Sequence, residues 1–362
     1  MKIVLAAPRF FPYLGGVETS TRELARRFAD RGHEITVVTS NPGSSLPVEE
    51  RIDGVQVVRV PSWPGRGDPF VAPSAGKVVL SLHPDVVHVQ GYQSAFTPFV
   101  LRSTSRAGVP NALTFHGGAH PNALRHALYP VQRRVFAPMF RRVRALVVTA
   151  PFEIPLLAQE LGCEPERFEL IPDGSDLPAP DLSIERDPTL ITSIGRLDKA
   201  KGHDRVIRAF GILAGGDPAL RLTIIGQGDD RARLEGIVAE LSLGDRVTFT
   251  SFPPTDRRGL AGSLVSAGLV ISMSKWETHP MAVIEAAALG CNIAVCTLSP
   301  GMRDLVDEGL ARPLDDGLDD SALAAEMRTC LKVPHVPDTK HLLTWDQSVD
   351  ATEALYERLL AT

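Results

Sequence analysis

Short apolar runs alternate with longer amphipathic stretches along almost the whole chain. In the first half the short runs predict strands at 2–7, 35–39, 55–60, 86–90, 111–115 and 145–149. The amphipathic stretches between them predict helices at 16–31, 92–107, 122–142 and 151–161. The pattern then starts again, with strands at 190–194, 221–226, 247–250, 269–273 and 293–296 and helices at 203–214, 229–242, 255–266, 280–289 and 319–331. Strands this apolar need cover on both faces, which predicts parallel sheets between helical layers. Alternation of this kind reads as an α/β, doubly wound fold, present twice.

The break between the two patterns is Ile171-Pro172-Asp173-Gly174-Ser175-Asp176-Leu177-Pro178-Ala179-Pro180-Asp181, which has the composition of a linker. It divides the chain into a first domain over 1–170 and a second over 171–343. A final segment, 344–362, carries Trp345, Val349, Ala354, Leu355 and Leu359 at helical spacing and is expected to pack back on the first domain. Residues 40–54 and 61–76 are rich in Pro, Gly and Ser and read as loops. No tandem repeat or low-complexity tract interrupts the pattern.

The chain has 362 residues, enough for two cores. A net charge of −5 argues against a general nucleic-acid binder. The charge is uneven. Residues 1–170 carry 19 Lys and Arg against 14 Asp and Glu, so the remainder carries −10. The excess in the first half suits either an anionic partner or a solvated basic face. Cys163, Cys291, Cys296 and Cys330 show no metal or redox spacing and read as reduced residues of a cytoplasmic protein. The apolar run after Met1-Lys2 is too short for a signal peptide or a membrane span.

Candidate chemistry gathers at strand-to-helix junctions of the second half. The strand at 190–194 runs into Gly195-Arg196, and Lys201 follows just before the next helix. Ligands of open parallel sheets lie outside the carboxyl ends of the strands. There Arg196 can offer a planar fork and Lys201 a point charge to a phosphate. Solvated loop cations are the alternative. Glu277 follows the strand at 269–273, Pro280 suits the first turn of a helix, and Glu285 lies eight positions beyond Glu277. Glu277 can accept from hexose hydroxyls, Glu285 from both hydroxyls of a ribose, and amides between them can face a diphosphate. The alternative places Glu285 on a solvent face and Glu277 at a helix start.

Ser193-Ile194-Gly195-Arg196-Leu197-Asp198-Lys199-Ala200-Lys201-Gly202 and Glu277-x7-Glu285-Ala286 resemble the GT4-type glycosyltransferases. So do Pro8-x-Phe10-x-Pro12-x-x-Gly15-Gly16-Val17-Glu18, Asp85-Val86-Val87-His88-Val89-Gln90-Gly91, Thr114-Phe115-His116-Gly117 and Ile171-Pro172-Asp173-Gly174-Ser175-Asp176, in family order and over nearly the whole chain. The resemblance implies the GT-B fold: two Rossmann-like doubly wound domains facing a central cleft, the first binding acceptor and the second a nucleotide-sugar donor. It implies that Arg196 and Lys201 bind and stabilise the leaving diphosphate, that Glu277 binds the donor sugar and Glu285 the ribose. His279, Pro280, Met281 and Ala282 complete the implied donor set. Gly15 and Gly16 would let helix amides approach phosphate or sugar, and His116 would touch the transferred sugar.

The same resemblance implies transfer from a nucleoside diphosphate sugar, UDP favoured and GDP possible, with retention of anomeric configuration. It implies no cofactor and no essential metal, the two cations replacing it. The acceptor would be a hydroxyl of a saccharide, a lipid-linked precursor or a small metabolite. An epimerase, a sugar phosphorylase and a noncatalytic nucleotide-sugar-binding partner are the competing readings. The first strand lacks the GxGxxG that an ordinary NAD enzyme would carry. Thr278-His279 departs from the family's Gly-Phe and sets bulkier or more polar side chains near the expected sugar. His88 reads as structural. Glu18 suits either an acceptor contact or the helix dipole. Residues 122–144 hold Arg125, Arg133, Arg134, Arg141, Arg142 and Arg144 beside an apolar complement, the pattern of a peripheral membrane contact or of a helix covering a sheet. The sequence leaves oligomeric state open.

Overall fold

Apolar runs become strands here because only a two-sided sheet can bury every residue of such a run. The computed structural model describes the chain except for Leu14, residues 66–69, 118–122, Asp176, residues 179–182, Pro254 and Thr362, and except for the side chains of residues 123–126. Within it the chain forms two units. The first holds Met1–Gly117, the stretch up to Gly174, and the carboxyl-terminal Leu343–Thr362; the second holds Ser175–Leu342.

In the first unit the order is β1 (Lys2–Ala7), α1 (Gly16–Asp30), β2 (Glu34–Pro42), β3 (Glu49–Ile52), β4 (Val55–Ser62), α2 (Ala75–Ser81), β5 (Val86–Gln90) and α3 (Phe96–Ala107). It continues through β6 (Asn111–Thr114), α4 (Ala123–Phe140), β7 (Ala145–Val148), α5 (Glu153–Leu161) and β8 (Phe168–Leu170). The eight strands lie in the order β3-β4-β2-β1-β5-β6-β7-β8. All neighbours pair in parallel except β3 and β4. The stretch read as a loop over 40–54 contains β3, which has no apolar run: its residues are alternately exposed and half-buried at a sheet edge. Asp53-Gly54, both with positive φ, turn it back onto β4 as a hairpin. The short helix α2 begins inside the other stretch read as a loop.

The second unit runs β9 (Asp187–Ile194), α6 (His203–Gly215), β10 (Arg221–Ile225), α7 (Arg231–Glu240), β11 (Val247–Thr250), α8 (Arg257–Val265) and β12 (Ala267–Ser272). It ends with α9 (Met281–Ala288), β13 (Ile293–Cys296), α10 (Pro300–Asp307), β14 (Arg312–Leu314) and α11 (Asp320–Lys332). The sheet is wholly parallel, in the order β11-β10-β9-β12-β13-β14. Successive residues of β12 feed opposite layers: Leu269 and Ile271 join one core, Val270 the other. This is the doubly wound order, and its direction reverses between β9 and β12. The first sheet reverses likewise between β1 and β5.

The last helix, α12 (Trp345–Leu360), lies in the first unit. A capping box of Thr344 and Gln347 starts it. Tyr356 stacks on Phe28 of α1 with ring centroids 5.5 Å apart, and its hydroxyl meets His88 Nδ1 at 2.6 Å. Ile171–Gly174, read as the opening of the linker, also lie in this unit. Asp173 Oδ1 accepts from Ser20 at 2.6 Å, and Ser348 donates to the Pro172 carbonyl at 2.8 Å. On α4, Arg133 turns inward: it is buried and forms an ion pair with Glu160. Asn122 and the side chains of Leu124 and Arg125 lie outside the described residues. Among the described residues no helix is long and apolar enough to cross a membrane.

Candidate active site

In the second unit the loops after β9 and β12 leave the sheet at its reversal point, where neighbouring connections diverge to opposite faces and open a crevice. Lys201 ends a single 3-10 turn (Lys199–Lys201) begun by the Asp198 side chain, which accepts the Ala200 amide at 2.9 Å. Its ammonium forms an ion pair with the Glu277 carboxylate. These residues, 76 positions apart, are therefore neighbours. Arg196 lies on the same loop, half exposed, with Nη2 3.3 Å from Asp198.

The backbone of this loop is held from below. His203 is buried, its Nδ1 2.9 Å from Ser193 Oγ and its Nε2 3.2 Å from the Arg196 carbonyl. Burial lowers its pKa and keeps the ring neutral, so Nε2–H donates to that carbonyl and Nδ1 accepts from Ser193. The loop after β10 adds Gly226-Gln227-Gly228. A Cβ on Gly226 would fall 1.9 Å from the Gly195 carbonyl oxygen, and one on Gly228 2.3 Å from that of Leu197. The two loops are joined by Leu197 N–H to the Gln227 carbonyl at 2.8 Å.

Glu277 is fixed by Ser299, which receives the Glu277 amide and donates back to its carbonyl at 2.8 Å. Thr278 is buried and His279 half-buried. Pro280 precedes α9 as its N-cap residue, and Met281 and Ala282 are the first two helical positions. The expectation of amides open to a diphosphate is narrowed here. The Met281 amide donates to the His279 carbonyl at 2.9 Å, and those of Val283 and Ile284 to Pro280 at 2.9 and 3.1 Å. Glu285 is buried, not on a solvent face. Its carboxylate forms an ion pair with Arg257 at the start of α8.

The other three expected residues belong to the first unit. Gly15 caps α1 and Gly16 is its first residue. The position of a Cβ on Gly15 lies 2.4 Å from Glu18 Oε2. Glu18 is buried and reaches Arg9 at 3.4 Å, so the α1 amino terminus faces its own carboxylate. His116, after β6, is buried with Nε2 2.7 Å from Gln90 Oε1, a contact that places the ring proton on Nε2. Gln90 Nε2 is buried with no hydrogen-bond partner among the described residues. His88, two positions before Gln90 on β5, is enclosed between Tyr356 and Thr114, and burial drives its pKa down to about 3. It is a neutral core residue. Gly118 lies outside the described residues.

Four contributors escaped the sequence reading. Arg257 and His203 looked like ordinary helix-start residues, and Gly226-Gln227-Gly228 was divided between a strand and a loop. Glu153 is the fourth. Its Oε2 accepts the amides of Thr149 and Ala150 at 3.1 and 3.2 Å, and the Gly117 amide also donates to this carboxylate. It thereby ties the end of β7 to Gly117, next to His116. Burial outweighs these donors and raises its pKa to about 8. A sequence shows only an acidic residue in a first helical turn, which the helix dipole already explains.

Among the described residues no group of three or more His, Cys, Asp or Glu side chains is disposed to hold a metal ion. What the second unit offers at the loops and helix starts beyond its strands is three cations, Arg196, Lys201 and Arg257, each paired with a carboxylate, Asp198, Glu277 and Glu285.

Comparison with known proteins agrees with this architecture. The profile of Glycosyltransferase Family 4 matches residues 14–178, and that of Glycosyl transferases group 1 matches residues 179–341. A D-inositol 3-phosphate glycosyltransferase of Thermomonospora curvata is 26% identical over 94% of this chain and 90% of its own. The sucrose-phosphate synthase of Thermosynechococcus elongatus has a similar fold, with a TM-score of 0.79 at 19% identity over 100% of both chains. So has Anabaena HepE in complex with UDP-glucose, with a TM-score of 0.69 at 18% identity over 100% of this chain and 98% of that one. Matched in succession by the two profiles along its two doubly wound units, the chain belongs to the GT4-type, group 1 glycosyltransferases of the GT-B fold.

Proposed function

We propose that this glycosyltransferase moves a hexose from a nucleoside diphosphate sugar to a hydroxyl acceptor with retention of configuration. The observation that carries the reading is the Lys201–Glu277 pair at the reversal point of the second sheet, with Arg196 on the same loop. A diphosphate is the ligand that calls for two cations there, and a sugar hydroxyl is the donor that a neighbouring carboxylate accepts. On donor binding Lys201 turns from Glu277 to the phosphate, and Glu277 takes hexose hydroxyls. Glu285 takes the ribose hydroxyls in place of Arg257. Arg196 and Lys201 then neutralise the charge that develops on the departing diphosphate, the part a metal plays in other enzymes. Attack comes from the face the diphosphate leaves, and its oxygen removes the acceptor proton.

Acceptor binding is assigned to the first unit, while Gly15 and Gly16 would let amides approach the phosphate or sugar of the donor and His116 would touch the transferred sugar. UDP is the favoured nucleotide, a choice supported by the UDP-glucose held by the Anabaena neighbour. The inositol phosphate enzyme among the relatives supports a polyol or saccharide hydroxyl as acceptor, as in glycan, glycolipid or secondary-metabolite synthesis. The cysteines are free, three of them buried, which suits a reducing, cytoplasmic setting.

The test begins with melting curves in UDP, GDP, ADP and their sugars, since a ligand of the folded state raises the midpoint by mass action. Turnover of the best donor is then measured with a panel of saccharide and polyol acceptors, and the anomer of the product is read by NMR. Arg196→Ala and Lys201→Ala are each expected to lower kcat/KM by about 10²–10³ with the fold intact. Full activity in both variants, or product formed without acceptor, overturns the reading.

A further inference from the structure

Between Asp85 and Glu153 the chain carries eight arginines and no carboxylate. Tertiary structure gathers four of them, Arg102 and Arg106 on α3 and Arg142 and Arg144 ahead of β7, around one groove of about 490 Å³. No acidic residue lines it. It lies at the amino ends of β6 and β7, whereas His116 and Glu153 stand beyond their carboxyl ends. A four-residue strand separates the two edges by about 13 Å, so the groove is distinct from the candidate active site.

The groove is braced. Asn111 is buried in its floor; Nδ2 donates to Thr104 Oγ1 at 3.0 Å and Ser105 Oγ at 3.2 Å, while Oδ1 accepts the Arg144 amide at 3.1 Å. Arg144 Nη1 also donates to the Leu359 carbonyl at 3.2 Å. The side chains of Arg102, Arg106 and Arg142 are exposed and make no ion pair or hydrogen bond with any described residue. Other arginines of this unit are matched: Arg133 with Glu160, Arg31 with Glu353, Arg22 with Asp53. A cluster of unmatched like charges repels itself, and an external anion offsets that repulsion.

The wall of the groove is apolar, formed by Val135, Phe136 and Met139. Leu128, Val131 and Val135 follow one another at helical spacing on α4 and are 51%, 52% and 66% exposed. This stripe leads along the helix to the ring of arginines. A free phosphate would satisfy the cations and leave the stripe in water. A phosphodiester attached to acyl chains satisfies both.

We propose that the groove seats the headgroup of an anionic phospholipid, with the α4 stripe entering the adjoining acyl region, so that the first unit docks on an acidic bilayer by the amino edge of its sheet. The sequence expectation of a basic face over 122–144 did not contain this site, because half of its cations come from α3. Docking uses none of the donor-site residues and stands or falls separately from the proposed transfer reaction.

The full chain is sedimented with vesicles of phosphatidylcholine alone and of phosphatidylcholine with phosphatidylglycerol. Retention is expected only on the mixed vesicles, and to weaken in 0.5 M NaCl. An arginine near an anionic surface contributes about fivefold in partitioning. Arg102→Ser/Arg106→Ser/Arg142→Ser is therefore expected to bind about 100-fold more weakly, and Val131→Ser/Val135→Ser to bind more weakly than wild type. The charge-matched Arg258→Ser/Arg328→Ser/Lys332→Ser, on the second unit, is expected to bind like wild type. Melting temperature and turnover of a soluble acceptor remain those of the wild type. Equal binding to both vesicle types, binding to neither, or undiminished binding of the arginine triple variant overturns the proposal. So does a chain that ignores vesicles yet is stabilised by inorganic phosphate or glycerol phosphate through these arginines, which would make the groove a soluble-phosphate site.

Discussion

Glu153 shows how much a single carboxylate depends on where the fold puts it. It is buried beside Gly117, accepts three backbone amides, and still has its pKa raised to about 8 from an ordinary value of 4.5. An acid whose folded pKa is raised holds its proton in the folded chain where the unfolded chain has lost it. Its contribution is therefore fully present below about pH 4.5 and is lost as pH rises towards 8. Across that window stability falls with a slope of at most about 1.4 kcal/mol per pH unit from this group. Glu153→Gln keeps the shape and removes the titration. Melting curves between pH 5 and 8 are expected to decline less steeply in the variant than in the wild type; parallel declines would show that Glu153 does not titrate there. The pairs Lys201–Glu277 and Arg257–Glu285 teach a related lesson: each expected ligand carboxylate is held by a cation of its own unit.

At the scale of elements, the site is made by loops that brace one another more than by any one helix. The loop carrying Arg196 is bonded to the loop after β10 and to His203 of α6, and the Glu277 loop to Ser299 ahead of α10. Two backbones approach so closely at Gly226 that no side chain fits between them. Gly226→Ala must push Gly195-Arg196 aside. We expect a loss of about 1–3 kcal/mol in urea unfolding, with a drop in kcat/KM larger than a surface substitution causes. A variant as stable and active as wild type would show that the loop has room to yield. The hairpin of β3 and β4 is the counterpart that has no part in the site: it closes an edge of the first sheet and places β4 beside β2.

For the whole molecule, the notable feature is a chain that completes its first unit last. Trp345 and Tyr356 of α12 are buried against Gly174, Phe28 and His88. A first unit without them exposes a stacked aromatic and leaves a buried histidine short of a partner. A chain ending at Leu342 is expected to lose the cooperative unfolding of the first unit, seen as rapid amide exchange in β1 and β5, while β9 and β12 keep their protection. Tyr356→Phe, a milder change, is expected to cost about 1–2 kcal/mol. Undiminished protection of β5 in the truncated chain would count against the coupling.

Most strands and helices were legible in the sequence because burial on both faces of a parallel sheet writes itself as apolar runs, and covering helices write their own period. That Arg196, Lys201 and Glu277 sit on loops beyond strand ends was legible from the pattern, and their candidate roles, with that of Glu285, rest on likeness to a known family. The hairpin strand Glu49–Ile52 was not, since an exposed edge demands no apolar run. Tertiary structure alone decided that Arg133 faces inward to Glu160, that Glu285 is buried against Arg257, that Glu153 holds a proton into the neutral range, and that Arg102 and Arg106 meet Arg142 and Arg144 around one groove. Period and propensity are local and can be read within a dozen residues. Ion pairing, desolvation and the grouping of like charges depend on which distant segments the sheet order brings together.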